Sequence, residues 1–122
     1  MSQYYELDAS KVHKSWNKDI EPRLIIEPGD TISFDTRDAA DLYYNPTSVS
    51  EDIQKRGPFV GHPLTGPIYI RDAAPGDVLA IEVKAMEFTS DFGWTAVRKG
   101  AGLLPDQDVR GPYLQIWDIS DG

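Results

Sequence analysis

Pro75-Gly76-Asp77-Val78-Leu79-Ala80-Ile81-Glu82 sets a proline-glycine pair directly ahead of a run that alternates, with Leu79, Ile81 and Val83 on one side and Glu82 on the other. Proline fixes φ near −65°, which suits position i+1 of a type II turn, and glycine supplies the positive φ needed at i+2. Alternation with a period of two is the pattern of a half-buried strand. The same device stands earlier in the chain as Pro28-Gly29-Asp30-Thr31-Ile32, where Ile32 and Phe34 share one face and Ser33 and Asp35 the other. Two copies make a reused turn-plus-strand device and not a solenoid period.

Working outward, nine prolines and ten glycines separate short apolar runs that alternate or are β-branched. Strands are expected over residues 23–26, 31–36, 67–71, 78–83, 94–97 and 113–119. Such spacing predicts an all-β fold, a sandwich or a barrel. One short helix is expected: Ser48-Val49-Ser50-Glu51 has capping-box spacing, Val49 and Ile53 are i,i+4 neighbours, and Gly57-Pro58 ends the run after Lys55 and Arg56. Two or three turns are predicted, covering a sheet end between the Asp38 region and His62.

At 122 residues the chain is read as a single domain, 1–122, with room for one sheet pair. Twelve basic against 20 acidic residues give a net charge of −8, so a phosphate backbone or an anionic membrane would meet a repulsive field. The absence of cysteine removes disulfides, thiolate metal sites and a cysteine nucleophile. The first residues lack a basic region followed by an apolar run, and no stretch approaches 18 apolar residues, so a cytoplasmic protein is expected.

Chemistry concentrates in two stretches. His62 is one of two histidines and lies in Gly61-His62-Pro63-Leu64-Thr65-Gly66-Pro67, whose prolines and glycines leave the loop few conformations. It reads equally as a structural imidazole and as a metal ligand or acid/base group. Asp35-Thr36-Arg37-Asp38-Ala39-Ala40-Asp41 places three carboxylates past a strand end. Asp35 and Asp41 read as a solvated edge, whereas Arg37 and the small alanines let Asp38 turn inward. His13, beside Trp16, reads first as a surface residue. Asp30 and Asp77 read as turn carboxylates that accept backbone N–H groups. Trp16, Trp94, Trp117 and the tyrosines at 43, 44 and 69 fit either a core or the lining of a small pocket. No Gly-x-Ser-x-Gly, phosphate-binding glycine loop or His-Glu-x-x-His occurs, so any site must be assembled from distant loops.

At these residues the chain resembles the acetamidase/formamidase family. The resemblance runs through Val12-His13 and Trp16, Ile26-Glu27-Pro28-Gly29-Asp30-Thr31-Ile32-Ser33-Phe34-Asp35-Thr36-Arg37-Asp38-Ala39 and Gly61-His62-Pro63-Leu64-Thr65-Gly66-Pro67-Ile68-Tyr69-Ile70. It continues through Ala74 to Val83 and from Gly93-Trp94 to Gly102-Leu103-Leu104. It implies a jelly-roll-like sandwich of antiparallel strands and hydrolysis of a short linear amide, formamide or acetamide, to carboxylate and ammonia. It further implies a divalent metal, zinc or calcium, with His62 and Asp38 as ligands and His13 as a third. Thr65 and Gly66 are the substrate-binding residues it implies; the match identifies no catalytic base. Such a metal would lower the pKa of a bound water and polarise the amide carbonyl. Family proteins continue with a later half bearing a Gly-Asp-x-His-type motif, so this chain is expected to be a fragment, one product of a split gene, or a half that needs a partner. The expected partners are a small amide substrate and either a second copy of the chain or the missing C-terminal half. The alternative is a non-catalytic β-sandwich module for assembly or small-ligand binding.

Overall fold

The structure, a computed structural model, describes residues 1–104 and 111–121. In chain order the elements are β1 (Tyr4–Leu7), β2 (Val12–His13), β3 (Leu24–Ile26), β4 (Thr31–Phe34), α1 (Asp52–Lys55), β5 (Leu64–Thr65), β6 (Ile68–Ile70), β7 (Phe92–Val97) and β8 (Tyr113–Asp118). The described residues are all-β apart from one helical turn, as the turn-and-strand spacing predicts. No helix among the described residues is long and apolar enough to cross a membrane.

The chain divides into two compact units. The first comprises Met1–Leu42 and Val60–Glu82, and the second Tyr43–Phe59 with the described residues from Val83 onward. In the first unit β1 pairs with β4 and β3 with β6, both parallel, while β2 pairs antiparallel with β5. The expectation of antiparallel strands throughout is therefore corrected for two ladders. A parallel pair needs a crossover of a dozen or more residues. The Asp8–Asp30 connection, which carries β2 and β3, provides it between β1 and β4. In the β3·β6 ladder Ile25 faces Tyr69 on an exposed side, and Ile26 is buried opposite Ile70.

The Pro-Gly device forms as read, twice. Gly29 and Gly76 have φ of 94° and 103°, and the Asp30 and Asp77 amides donate to the Glu27 and Ala74 carbonyls, each at 3.1 Å. Each aspartate then closes its own turn: Asp30 accepts from the Glu27 amide and Asp77 from the Ala74 amide, each at 2.9 Å. Asp30 also accepts from the Gln3 amide at 2.8 Å, which ties the turn to β1. The segments beyond the two turns differ. Thr31–Phe34 enters a ladder, whereas the expected strand over 78–83 pairs with no other strand among the described residues.

In the second unit β7 and β8 form an antiparallel ladder from Phe92 opposite Asp118 to Val97 opposite Tyr113. Helix α1 packs here: Ile53 is buried, the Ser50 hydroxyl accepts from the Leu114 amide at 3.0 Å, and the Tyr43 hydroxyl donates to the Asp52 carbonyl at 3.0 Å. The helix is one turn and not the two or three expected. Its N-cap is Glu51, without a side-chain cap bond, and not Ser48, whose hydroxyl accepts from the Asn45 amide while Asp52 accepts from the Val49 amide. Gly57, at φ 80°, ends it as predicted. Tyr44 is buried between Tyr43 and Trp94, with ring centroids 5.0 and 4.7 Å away, and burial pushes its phenol pKa up. Of the aromatic residues left open between core and pocket, Tyr44 is buried in the core, and with the half-buried Trp94 it also lines an open concavity of about 260 Å³ together with Ile53, Arg56 and Val97.

Candidate functional site

Three segments of the first unit are fastened to one another. β2 carries His13 opposite Leu64 and Val12 opposite Thr65. The Thr65 hydroxyl donates to the Asp35 carbonyl at 2.6 Å, which joins β5 to the acidic stretch. Arg37 returns from that stretch to the start of the chain, donating from Nε to the Ala9 carbonyl at 2.9 Å and from Nη2 to the Ser10 carbonyl at 3.2 Å. Its Nη1 reaches Asp41 at 2.8 Å, and Lys14 Nζ meets the other Asp41 oxygen at 2.7 Å.

That double ion pair revises the expectation for Asp41. It is half-buried between two cations, not part of a solvated edge; the Lys14 ammonium, and after it the Arg37 guanidinium, hold its carboxyl below the usual range. Nothing in the local spacing announces the Lys14 contact, because ladder neighbours come from distant parts of the sequence. The i,i+4 spacing of Arg37 and Asp41 is a helical signal, and here it occurs in a loop.

Asp38 turns inward, and its role is visible. One carboxylate oxygen accepts from the Ala40 amide and the other from the Leu42 amide, each at 2.8 Å. The carboxylate thereby organises a turn in which Asp41 and Leu42 adopt φ of 58° and 63°, conformations that L-residues visit at a cost.

His62 is exposed in the loop between Gly61 and β5. Gly61 is where the frame is tightest: at φ 106° a side-chain carbon would run into the Lys14 carbonyl oxygen. Gly66, at φ 120°, is buried, so neither glycine of the run is interchangeable with a larger residue. Thr65 uses its hydroxyl hydrogen on Asp35, which leaves oxygen lone pairs for a further donor.

His13 is the more informative histidine. Its Nδ1 is buried and has no hydrogen-bond partner. A buried polar atom left unpaired costs stability and calls for an explanation. The lone pair of such a nitrogen is a donor a metal could use, but no group of three or more His, Asp or Glu among the described residues could hold one. His62, Asp38 and His13 thus do not by themselves fit a metal site.

Three carboxylates of the first unit, Asp8, Asp30 and Asp41, are held below the usual range, Asp30 by the Gln3 and Glu27 amides. The Ser10 hydroxyl, then the Ser10 amide and Arg23, lower Asp8 from the ordinary 3.8 to about 2. Asp41 is lowered as well. A carboxyl whose folded pKa lies below its unfolded one contributes stability that is complete above the unfolded value and lost as pH falls through the folded value. The urea midpoint should therefore be flat above about pH 5 and fall between roughly pH 4 and pH 2. In Asp41→Asn the fall should be shallower. An unchanged slope in that variant would show that Asp41 is not held by its two cations.

These strands and their fastened loops make up an all-β, sandwich-like fold. The model of the acetamidase/formamidase family matches residues 1–122, and the chain belongs to that family. A crystal structure of a predicted acetamidase/formamidase from Thermoanaerobacter tengcongensis superposes with a TM-score of 0.82 at 28% identity, over 100% of this chain and 39% of that one. An acetamidase structure from Bacillus halodurans shares the fold at a TM-score of 0.67 and 23% identity, over 93% of this chain and 37% of its own. The formamidase of Methylophilus methylotrophus is 24% identical over 114 residues, 89% of this chain and 28% of that protein. The acetamidase of Mycolicibacterium smegmatis is 25% identical over 119 residues, 88% of this chain and 29% of its own. The chain thus spans less than a third of the length of these curated relatives.

Proposed function

We propose that this chain is part of an amide hydrolase that releases ammonia from short linear amides such as formamide or acetamide, working together with the portion of the family fold it does not match. The observation that supports this most directly is His13: a buried, unpartnered ring nitrogen on the strand that positions the Gly61–Pro67 loop. Amide hydrolysis needs a group that accepts a proton from the attacking water and returns one to the leaving nitrogen. An imidazole can do both once the unmatched portion of the fold brings water and amide to the ring. Asp38, Arg37 and Asp41 contribute rigidity, holding the acidic stretch against β2 and β5 so that His13 and Thr65 keep a fixed separation. Thr65 Oγ1 and the Gly66 backbone are the groups we assign to substrate.

The test is coupled detection of ammonia from formamide and acetamide, with zinc or calcium supplied, using the 122-residue chain alone and with the unmatched portion of the Thermoanaerobacter tengcongensis protein. Ammonia above a His13→Leu background supports the reading. None from either folded preparation removes it.

A further inference from the structure

Period-two alternation puts Trp94 and Ala96 of β7 on one face, and Arg98, directly beyond the strand, continues that row. Ile53 comes from α1 and Arg56 from its C-cap. All five line the open concavity of the second unit, about 260 Å³ in volume, together with Tyr44. Its inner part is apolar and aromatic: Tyr44 and Ile53 are buried, and the rings of Tyr44 and Trp94 lie with centroids 4.7 Å apart. Cations join this lining, Arg56 half-buried and Arg98 exposed. Burial pushes the Tyr44 phenol pKa up, and the charges of Arg56 and Arg98 both oppose that push, so both guanidinium groups lie within electrostatic reach of the ring. A second concavity of about 280 Å³ shares Ile53, Gly57 and Arg98 with the first and adds Lys99. The chain carries 20 acidic residues against 12 basic ones, yet among the described residues the lining of both concavities has Arg56, Arg98 and Lys99 and no carboxylate.

We propose that this concavity binds a small organic monocarboxylate with a flat apolar body, its carboxylate held by Arg56 and Arg98 and its body lying against Tyr44 and Trp94 where Ala96 leaves room. Each part of that ligand class follows from a feature of the lining. Guanidinium forks match the two oxygens of a carboxylate in geometry as well as in charge. Aromatic walls favour a flat apolar body that stacks on them. The volume lies below the roughly 300 Å³ at which sites for drug-sized molecules begin, so the ligand is small. A neutral amide of the same shape brings no charge to the two arginines and is the weaker ligand. The site stands apart from the amide-hydrolase reading, because its residues belong to the second unit and His13 and Thr65 to the first.

The experiment titrates the 122-residue chain with benzoate, with benzamide as its neutral isostere and with inorganic phosphate as an anion without an apolar body, following backbone amide signals by NMR. Benzoate should saturate with a Kd of about 1 mM and move the signals of Tyr44, Ile53 and Trp94–Arg98, while benzamide and phosphate bind at least about ten-fold more weakly. Arg98→Gln, at an exposed position, should weaken benzoate at least about ten-fold with an unchanged melting temperature. Ala96→Leu keeps both charges and fills the gap between Trp94 and Arg98, so it should weaken benzoate to a similar extent. Equal affinity for benzoate and benzamide overturns the proposal, since the arginines then read no charge. Equal affinity for benzoate and phosphate overturns it too, since the rings then read no body. Full benzoate affinity in either variant, signals that move only elsewhere, or no saturation below about 20 mM overturns it as well.

Discussion

Gly61→Ala is expected to destabilise the first unit by about 3 kcal/mol, near the upper end for a single substitution. Two costs add. The backbone sits at φ 106°, where an L-residue is strained by roughly 1 to 3 kcal/mol. The new methyl would also collide with the Lys14 carbonyl oxygen, a backbone atom that cannot rotate aside. Lys14 directly follows β2 and is tethered through its ammonium to Asp41, so the strain passes to the Gly61–Pro67 loop. The pairing of His13 with Leu64 should loosen first. Gly29→Ala is the internal control: φ is 94°, but a side-chain carbon there meets nothing within 4 Å, so only the conformational cost remains. Urea unfolding followed by circular dichroism should therefore separate the two variants by about 1 kcal/mol or more. Equal midpoints would show that the Gly61–Lys14 approach is not made in solution.

Much of the fold is readable from the sequence because its strongest signals are local. A Pro-Gly-Asp turn specifies its dihedrals and its own carboxylate bonds within four residues, and both copies form as read. Strands with clear alternation, such as β4 and β6, likewise appear within a residue or two of expectation. β2 and β5 are two residues each, too short for any periodicity, and exist only because distant segments meet. Parallel pairing is equally invisible to alternation, which fixes a strand's faces and not its neighbour's direction. The run over 78–83 marks the reverse case: its sequence has the strand pattern, but a ladder requires a second strand that the described residues do not provide.

The candidate site divides along the same line. Asp38 is legible as an inward carboxylate because small neighbours permit the turn it organises. The Lys14–Asp41–Arg37 cluster is not, since it depends on β2 lying beside the acidic stretch. Sequence alone ranks His13 below His62, whose Pro/Gly frame draws attention. Burial reverses the order, because His13 carries a buried nitrogen without a hydrogen-bond partner while His62 lies exposed.

That reversal leads to the sharpest functional expectation. A buried nitrogen with no partner costs roughly 1 to 3 kcal/mol of folding stability. Leucine is close to histidine in size, has no polar atom and would face Leu64 across the ladder. His13→Leu should therefore stabilise the fold by about 1 kcal/mol, raising the melting temperature by several degrees. In the same variant, ammonia release should fall by about 10²- to 10⁴-fold, the usual worth of a positioned acid/base group. A structural histidine would give the opposite stability result, since its loss would leave a hole or break a bond. Melting and ammonia assays on one preparation therefore decide the matter. A higher melting point with activity lost supports the catalytic assignment. A lower melting point shows that the ring is satisfied and structural. Unchanged ammonia release, at any melting point, removes His13 from the chemistry. On the proposed function, the stability cost of His13 keeps a vacant nitrogen on the strand paired with the Gly61–Pro67 loop.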